Sequence, residues 1–174
     1  VLFSKRRYQM GNGNYSLAAH EALLRGRTDI PAEQVFKQSK CHPLMNPKGV
    51  KVRESRDGVD HPESQGIVFA LDVSGSMGEI PRLMATQQLP NFMKVLMDCE
   101  VRDPQILFMA LGNATSDEAP LQVGQFESTA ELMDQWLTWT YLEGHGGGEG
   151  ESYDLAFYFL ATHTEMDCMV KRNK

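Results

Sequence analysis

The sequence predicts an α/β fold in which helices alternate with the strands of a largely parallel sheet. Two observations carry that expectation. Residues 67–71, Ile-Val-Phe-Ala-Leu, and the run 105–111 are apolar almost without interruption, as strands covered on both faces are. Segments with apolar residues at helical spacing lie between and after these runs. With 174 residues, 41% hydrophobic and 23% charged, the chain can bury one real core, so one domain at 66–174 preceded by an extension at 1–65 is the expected division.

The extension is rich in turn chemistry, at Gly11-Asn12-Gly13-Asn14, His42-Pro43, Asn46-Pro47 and Asp57-Gly58. Two short helices are expected in it. One runs from Leu17 to Leu24, and one opens with Asp29 as N-cap, Pro31 early and Glu33 in the first turn. The remainder reads as an irregular wrap against a core. Strand 67–71 is expected at the centre of the sheet and runs directly into Asp72-Val73-Ser74-Gly75-Ser76-Met77-Gly78. A helix over 80–97 follows, with Leu83, Met84, Leu89, Phe92, Val95 and Leu96 inward and Pro90 kinking it. After strand 105–111 and a polar turn over 112–120, residues 121–126 alternate apolar with polar. That is the pattern of an edge strand with one exposed face, antiparallel to its predecessor. Ser128-Thr129-Ala130-Glu131 spells a capping box opening a helix through Leu137. The loop Glu143-Gly144-His145-Gly146-Gly147-Gly148-Glu149-Gly150 leads to a last helix over 151–163, with Leu155, Phe159 and Leu160 inward.

Net charge and cysteines narrow the function classes. The formal charge of −6 is unevenly spread, with eleven basic against seven acidic residues up to Gln65 and six against sixteen thereafter. An acidic body repels nucleic-acid phosphates and attracts cations. The three cysteines, Cys41, Cys99 and Cys168, are widely spaced with no CxxC pair, which excludes a zinc cluster and fits thiols in a reducing compartment. No apolar run approaches the roughly 20 residues that span a bilayer, and the first ten residues hold no signal-peptide core. A cytoplasmic protein is the expectation, with neither nucleic acid nor membrane as partner.

A carboxylate and two hydroxyls at alternate positions, Asp72, Ser74 and Ser76, follow a buried strand and precede a helix. Open α/β sheets bind ligands at that place. The set is all oxygen and poor in charge, which suits a hard, octahedral, partly hydrated ion such as Mg²⁺ or Mn²⁺ and suits zinc badly. An ion held by so few charges stays electrophilic and can accept a carboxylate from another molecule, which is binding rather than catalysis. A simple helix cap made by Asp72 or Ser74 is the plainer explanation of the same residues.

Residues 67–77, IVFALDVSGSM, resemble the first motif of the metal-ion-dependent adhesion site (MIDAS) in von Willebrand factor A (vWA) domains, with its Asp-x-Ser-x-Ser pattern. The resemblance covers residue 66 onward and implies a Rossmann-like, doubly wound sheet with strand order 3-2-1-4-5-6. It implies Asp72, Ser74 and Ser76 as metal ligands. The threonine of the second motif has no counterpart, and GGGEGES at 146–152 is similar to the glycine-rich second motif of bacterial-type members, with Glu149 as substitute ligand and Glu151 and Ser152 behind it. Asp117, in the turn after the second strand, is a further candidate beside the ion. The third motif, an aspartate after the next buried strand, is not in these 174 residues, so the resemblance implies a fragment truncated after the helix that follows the glycine loop. By the same likeness the partner is a protein with an exposed carboxylate, and a MoxR-type AAA+ ATPase is the expected kind.

Two rivals accompany this non-enzymatic interaction module. One is a structural vWA-like domain with a degenerate metal site. The other is a hydrolase with Ser74 or Ser76 as nucleophile and His145 or His163 as base. Neither serine lies in the Gly-x-Ser-x-Gly frame of a nucleophile elbow.

Overall fold

A computed structural model describes residues 14–27, 29–143 and 150–172 of the chain. Its largest sheet has three strands, β2 (Gln65–Asp72), β3 (Pro104–Leu111) and β4 (Leu121–Glu127), in the order β2-β3-β4. β2 and β3 are parallel, with Gln65 opposite Pro104 and Asp72 opposite Leu111, and β3 and β4 are antiparallel. The fold is therefore mixed α/β with a mixed sheet.

Side-chain alternation along β3 builds a core on each face of this sheet. Ile106, Phe108 and Ala110 pack on one face with Leu71, Leu89, Met93, Met133 and Trp136. These partners come from β2 and from helices α4 (Leu89–Asp98) and α5 (Ala130–Thr138). Leu107, Met109 and Leu111 pack on the other face with Val123, Phe126 and two residues of α6 (Tyr153–His163), Ala156 and Phe159. α6 turns Ala156 and Phe159 fully inward, whereas Leu155 and Leu160, also expected inside, are half-buried.

The burial of the strands corrects the expected layout. β3 is the central strand, buried at every position after Pro104, whereas β2 lies at the edge of the sheet and is mostly half-buried, with Ala70 exposed. β4 is antiparallel and at the other edge, yet all seven of its residues are buried. Its polar residues are inside because they are partnered. Gln122 exchanges hydrogen bonds with the backbone of Tyr141, and the Trp136 indole donates to Glu127 Oε1 at 3.0 Å. A register shift between the Leu107 and Met109 pairs brings Val123 and Phe126 to the same face, which breaks the alternation read from sequence. Gly124 sits at that irregularity, where a Cβ would stand 3.2 Å from the Phe108 carbonyl.

The extension shares the domain's core. α1 (Leu17–Leu24) forms as expected, capped by Ser16, whose hydroxyl accepts from the Ala19 amide. α2 is a single turn, Ala32–Val35, with Pro31 and not Asp29 at the N-cap position. Val35, Phe36 and Met45 are buried beside Leu71 and Val73. Helix 80–97 divides into α3 (Ile80–Leu83), a π-helical segment Met84–Gln88, and α4. Pro90 has no N–H to bond back to residue 86, and the irregular turns fall immediately before it. Three elements were not foreseen: the short strands β1 (Arg53–Ser55) and β5 (Thr164–Met166), which pair in parallel, and α7 (Asp167–Arg172), which follows. The Arg56 guanidinium joins Glu54, Glu165 and Asp167, tying these pieces together. No helix among the described residues is long and apolar enough to cross a membrane.

Candidate functional site

β2 ends at Asp72, opposite Leu111, so the serine turn leaves the sheet at its carboxyl end beside the end of β3. The turn is held by its own chemistry. Asp72 Oδ1 accepts from the Ser74 amide at 2.9 Å, and residues 75–77 then form one 3-10 turn. Asp72 is half-buried, Ser74 buried and Ser76 exposed, so the group opens to the surface at Ser76. Gly78 adopts φ +52°, which lets the chain turn into α3. The Ser74 and Ser76 hydroxyls are 3.0 Å apart. No side chain caps the 3-10 turn or α3, so the helix-cap explanation of Asp72 and Ser74 is reduced to the single Asp72–Ser74 bond.

A second element arrives from the start of α6. The Tyr153 hydroxyl donates to Asp72 Oδ2 at 3.3 Å. Loss of solvent raises the Tyr153 phenol above its ordinary value, and the charges of Asp72 and Glu151 raise it further. Glu151 Oε2 is shielded from solvent and has no hydrogen-bond partner among the described residues. A shielded carboxylate oxygen with nothing to accept from is a costly arrangement in a folded chain.

The other expected residues are placed differently. Ser152 Oγ accepts from the Ala114 amide at 3.0 Å, and the Ser152 amide donates to the Gly112 carbonyl, so Ser152 clips the α6 entry onto the turn after β3. Asp117 is engaged in that turn, accepting from the Asn113 amide at 2.8 Å and from the Ser116 hydroxyl at 2.9 Å. Its bonds are those of a turn residue. Glu149 and His145 lie outside the described residues. His163 is at the far end of α6 from Tyr153, about 15 Å away at helical rise, where its Nδ1 meets the Lys51 carbonyl. The structure does not bring it to Ser74 or Ser76.

Tyr153 was missed by sequence reasoning. In the sequence it is only an aromatic hydroxyl two residues after Glu151 at the expected helix start. Only the packing of α6 beside the end of β2 gives it Asp72 as partner.

The donor set admits a small hard cation. At a metal–oxygen distance of about 2.1 Å, neighbouring octahedral ligands stand roughly 3.0 Å apart, which is the separation of the two serine hydroxyls. Among the described residues there is no group of three or more His, Cys, Asp or Glu able to hold a metal, so the hydroxyls are needed to complete a ligand set. Compared with protein-family models, with curated proteins and with solved structures, the chain matches none.

Proposed function

We propose that this chain is a metal-dependent protein-binding module of vWA type, in which Mg²⁺ or Mn²⁺ held at Asp72, Ser74 and Ser76 receives a carboxylate from a partner protein. The observation that carries the proposal is the arrangement of the two serine hydroxyls, 3.0 Å apart, in one turn with the Asp72 carboxylate at the carboxyl end of the sheet. The order β4-β3-β2, with β2 parallel and β4 antiparallel to β3, supports it, being the 3-2-1 half of the sheet that the resemblance implies.

Ser74 and Ser76 would hold the ion directly without neutralising it. Asp72, whose Oδ1 is already engaged by the Ser74 amide, would act through its other oxygen. Glu151 adds negative charge at the start of α6, and Glu149 is the further carboxylate proposed for the site. The bound ion supplies Lewis acidity toward an incoming carboxylate. Ser76 is the exposed member, so the partner would approach over it. An ATPase of the MoxR type remains the kind of partner proposed.

Isothermal titration with Mg²⁺ and with Mn²⁺ tests the site. Saturable binding is expected, weakened at least about tenfold in Ser76→Ala and in Asp72→Ala. If neither ion binds, or both variants bind like the unaltered chain, the proposal fails and the degenerate-site alternative stands.

A further inference from the structure

Residues 43–54 of the extension run beside β4, tied to it where the Val123 amide donates to the Met45 carbonyl at 2.7 Å. A cavity of about 560 Å³ lies between this segment and β4. That volume is within the range of small-molecule sites. Gln125 of β4 lines it and is only 7% exposed. Its Oε1 accepts from the Phe126 amide at 3.0 Å, and because an N–H can only donate, that bond fixes which end of the Gln125 amide faces away. Nε2 then has no acceptor among the described residues and is not one of their shielded polar atoms, so it meets solvent at the cavity that Gln125 lines.

Arg53 of β1 is spent on one side only. Its Nη2 donates to the carbonyls of Leu44 at 3.0 Å and Val123 at 3.4 Å, whereas Nη1 donates to nothing among the described residues and, unlike the shielded Nε, keeps contact with solvent. Loss of solvent lowers the guanidinium below its ordinary value, with the Glu127 carboxylate opposing. The rim is basic as well. Asn46 Oδ1 accepts from the Lys48 amide at 2.9 Å, the Val50 amide donates to the Pro47 carbonyl at 3.1 Å, and Gly49 takes φ +83°, so the turn that carries Lys48 is set by its own bonds. Lys48 and Lys51 line the cavity, are exposed, and form no ion pair among the described residues. Glu54, the one acidic residue of the described lining, is paired with Arg56. Leu44 and Val52 add apolar wall. In a chain of net charge −6 this is a local excess of positive charge.

We infer that this cavity binds a small organic carboxylate with an apolar body. A carboxylate only accepts, which matches the donors that Gln125, Arg53 and the two lysines present, and its charge complements theirs. An ammonium would meet three cations. A neutral amide would leave them without a counter-charge. The site shares no residue with the group around Asp72, so either can fail while the other stands.

The test uses 4-phenylbutyrate, with 4-phenylbutyramide and 4-phenylbutylammonium as controls, and follows the backbone amide resonances of Lys51 and Val52 together with the side-chain amide of Gln125. Saturable shifts are expected for the carboxylate alone, with a Kd of about 1 mM, ordinary for a ligand of about a dozen heavy atoms. The double variant Lys48→Gln, Lys51→Gln, at exposed positions outside any ion pair, should weaken binding about fivefold or more. Gln125→Glu keeps an acceptor for the Phe126 amide and puts an oxygen where the donor was, and should abolish saturation. If Gln125→Glu fails to fold, the lysine pair decides alone. Equal saturation by the neutral amide, no saturable shift with phenylbutyrate up to about 20 mM, or an unchanged affinity in the lysine double variant overturns the inference.

Discussion

The backbone amide of Val123 donates to the carbonyl of Met45 at 2.7 Å, so a segment of the N-terminal extension closes the outer edge of β4. Arg53 adds a second tie, its guanidinium reaching the carbonyls of both Leu44 and Val123. Both outward backbone groups of Val123 are thus satisfied, which blunts the edge strand at its middle. Met45 itself is fully buried in the core shared by Leu71 and Trp136. Replacing Met45 by alanine is therefore expected to lower the unfolding free energy by about 3 kcal/mol. Urea denaturation measures this, and a loss below about 1 kcal/mol would mean that the extension packs loosely.

The fold was legible where one residue type decides one element. Ser16 with the apolar spacing of 17–24 specified α1, and the apolar run at 106–111 specified the strand that is buried at all its positions but Pro104. The run at 67–71 misled only about position: Ile67 and Phe69 pack against the core on one face and Val68 against the core on the other, yet all three stay half-buried because β2 lies at the edge of the sheet. Gln122 and Gln125 misled in the opposite sense, and Glu127, beyond the expected strand, is buried like them. A polar residue signals exposure only if nothing else satisfies it, and Tyr141, the Phe126 amide and Trp136 do so here. At the candidate site the Asp-x-Ser-x-Ser spacing carried Asp72, Ser74 and Ser76. Tyr153 could not be read, because its role comes from the placement of α6 against β2.

Arg27, just beyond α1, pairs with Asp134 on α5 at 2.6 Å, and the carboxylate side chain is only 11% exposed. Burial raises the Asp134 carboxyl above its ordinary range, and the Arg27 charge and hydrogen bond pull against that rise. Removing the guanidinium would leave a mostly buried carboxylate without its cation. Arg27→Met should cost about 2 kcal/mol near neutral pH. The double variant Arg27→Met, Asp134→Leu should recover much of the loss, since an apolar pair does not carry that penalty. Chemical denaturation of the single and double variants checks both statements, and a double variant no more stable than the single would sink them.

His20 is buried, and burial holds its imidazole down to about 4 from the ordinary 6.5, with Glu131 opposing and Arg27 reinforcing the shift. A depressed histidine makes the unfolded chain the first to take up a proton as pH falls. Its stabilising contribution is complete above about pH 6.5 and is lost progressively down to about pH 4, below which both states are protonated. The loss is on the order of 3 kcal/mol. Asparagine can keep an acceptor for the Tyr15 hydroxyl without titrating, so the difference between His20→Asn and the unaltered chain isolates this one group from Asp134 and His42. Unfolding free energies across pH 4 to 7 should show a steeper decline with acid in the unaltered chain, and parallel curves would refute the assignment.

Tyr153 provides an optical readout of the proposed metal site. Its phenol is raised by loss of solvent and by the negative charges of Asp72 and Glu151, because both carboxylates penalise a phenolate beside them. A divalent cation at Asp72 offsets that repulsion, so Mg²⁺ should shift the Tyr153 titration downward, the direction in which a nearby positive charge moves any acid. The chain has five tyrosines, and subtracting the absorbance titration of Tyr153→Phe isolates this one. The downward shift should saturate with Mg²⁺ and vanish in Asp72→Asn, whose neutral side chain also brings the phenol down without metal. If Mg²⁺ leaves the Tyr153 titration in place while calorimetry still registers binding, the ion sits away from Asp72 and the ligand assignment must move with it.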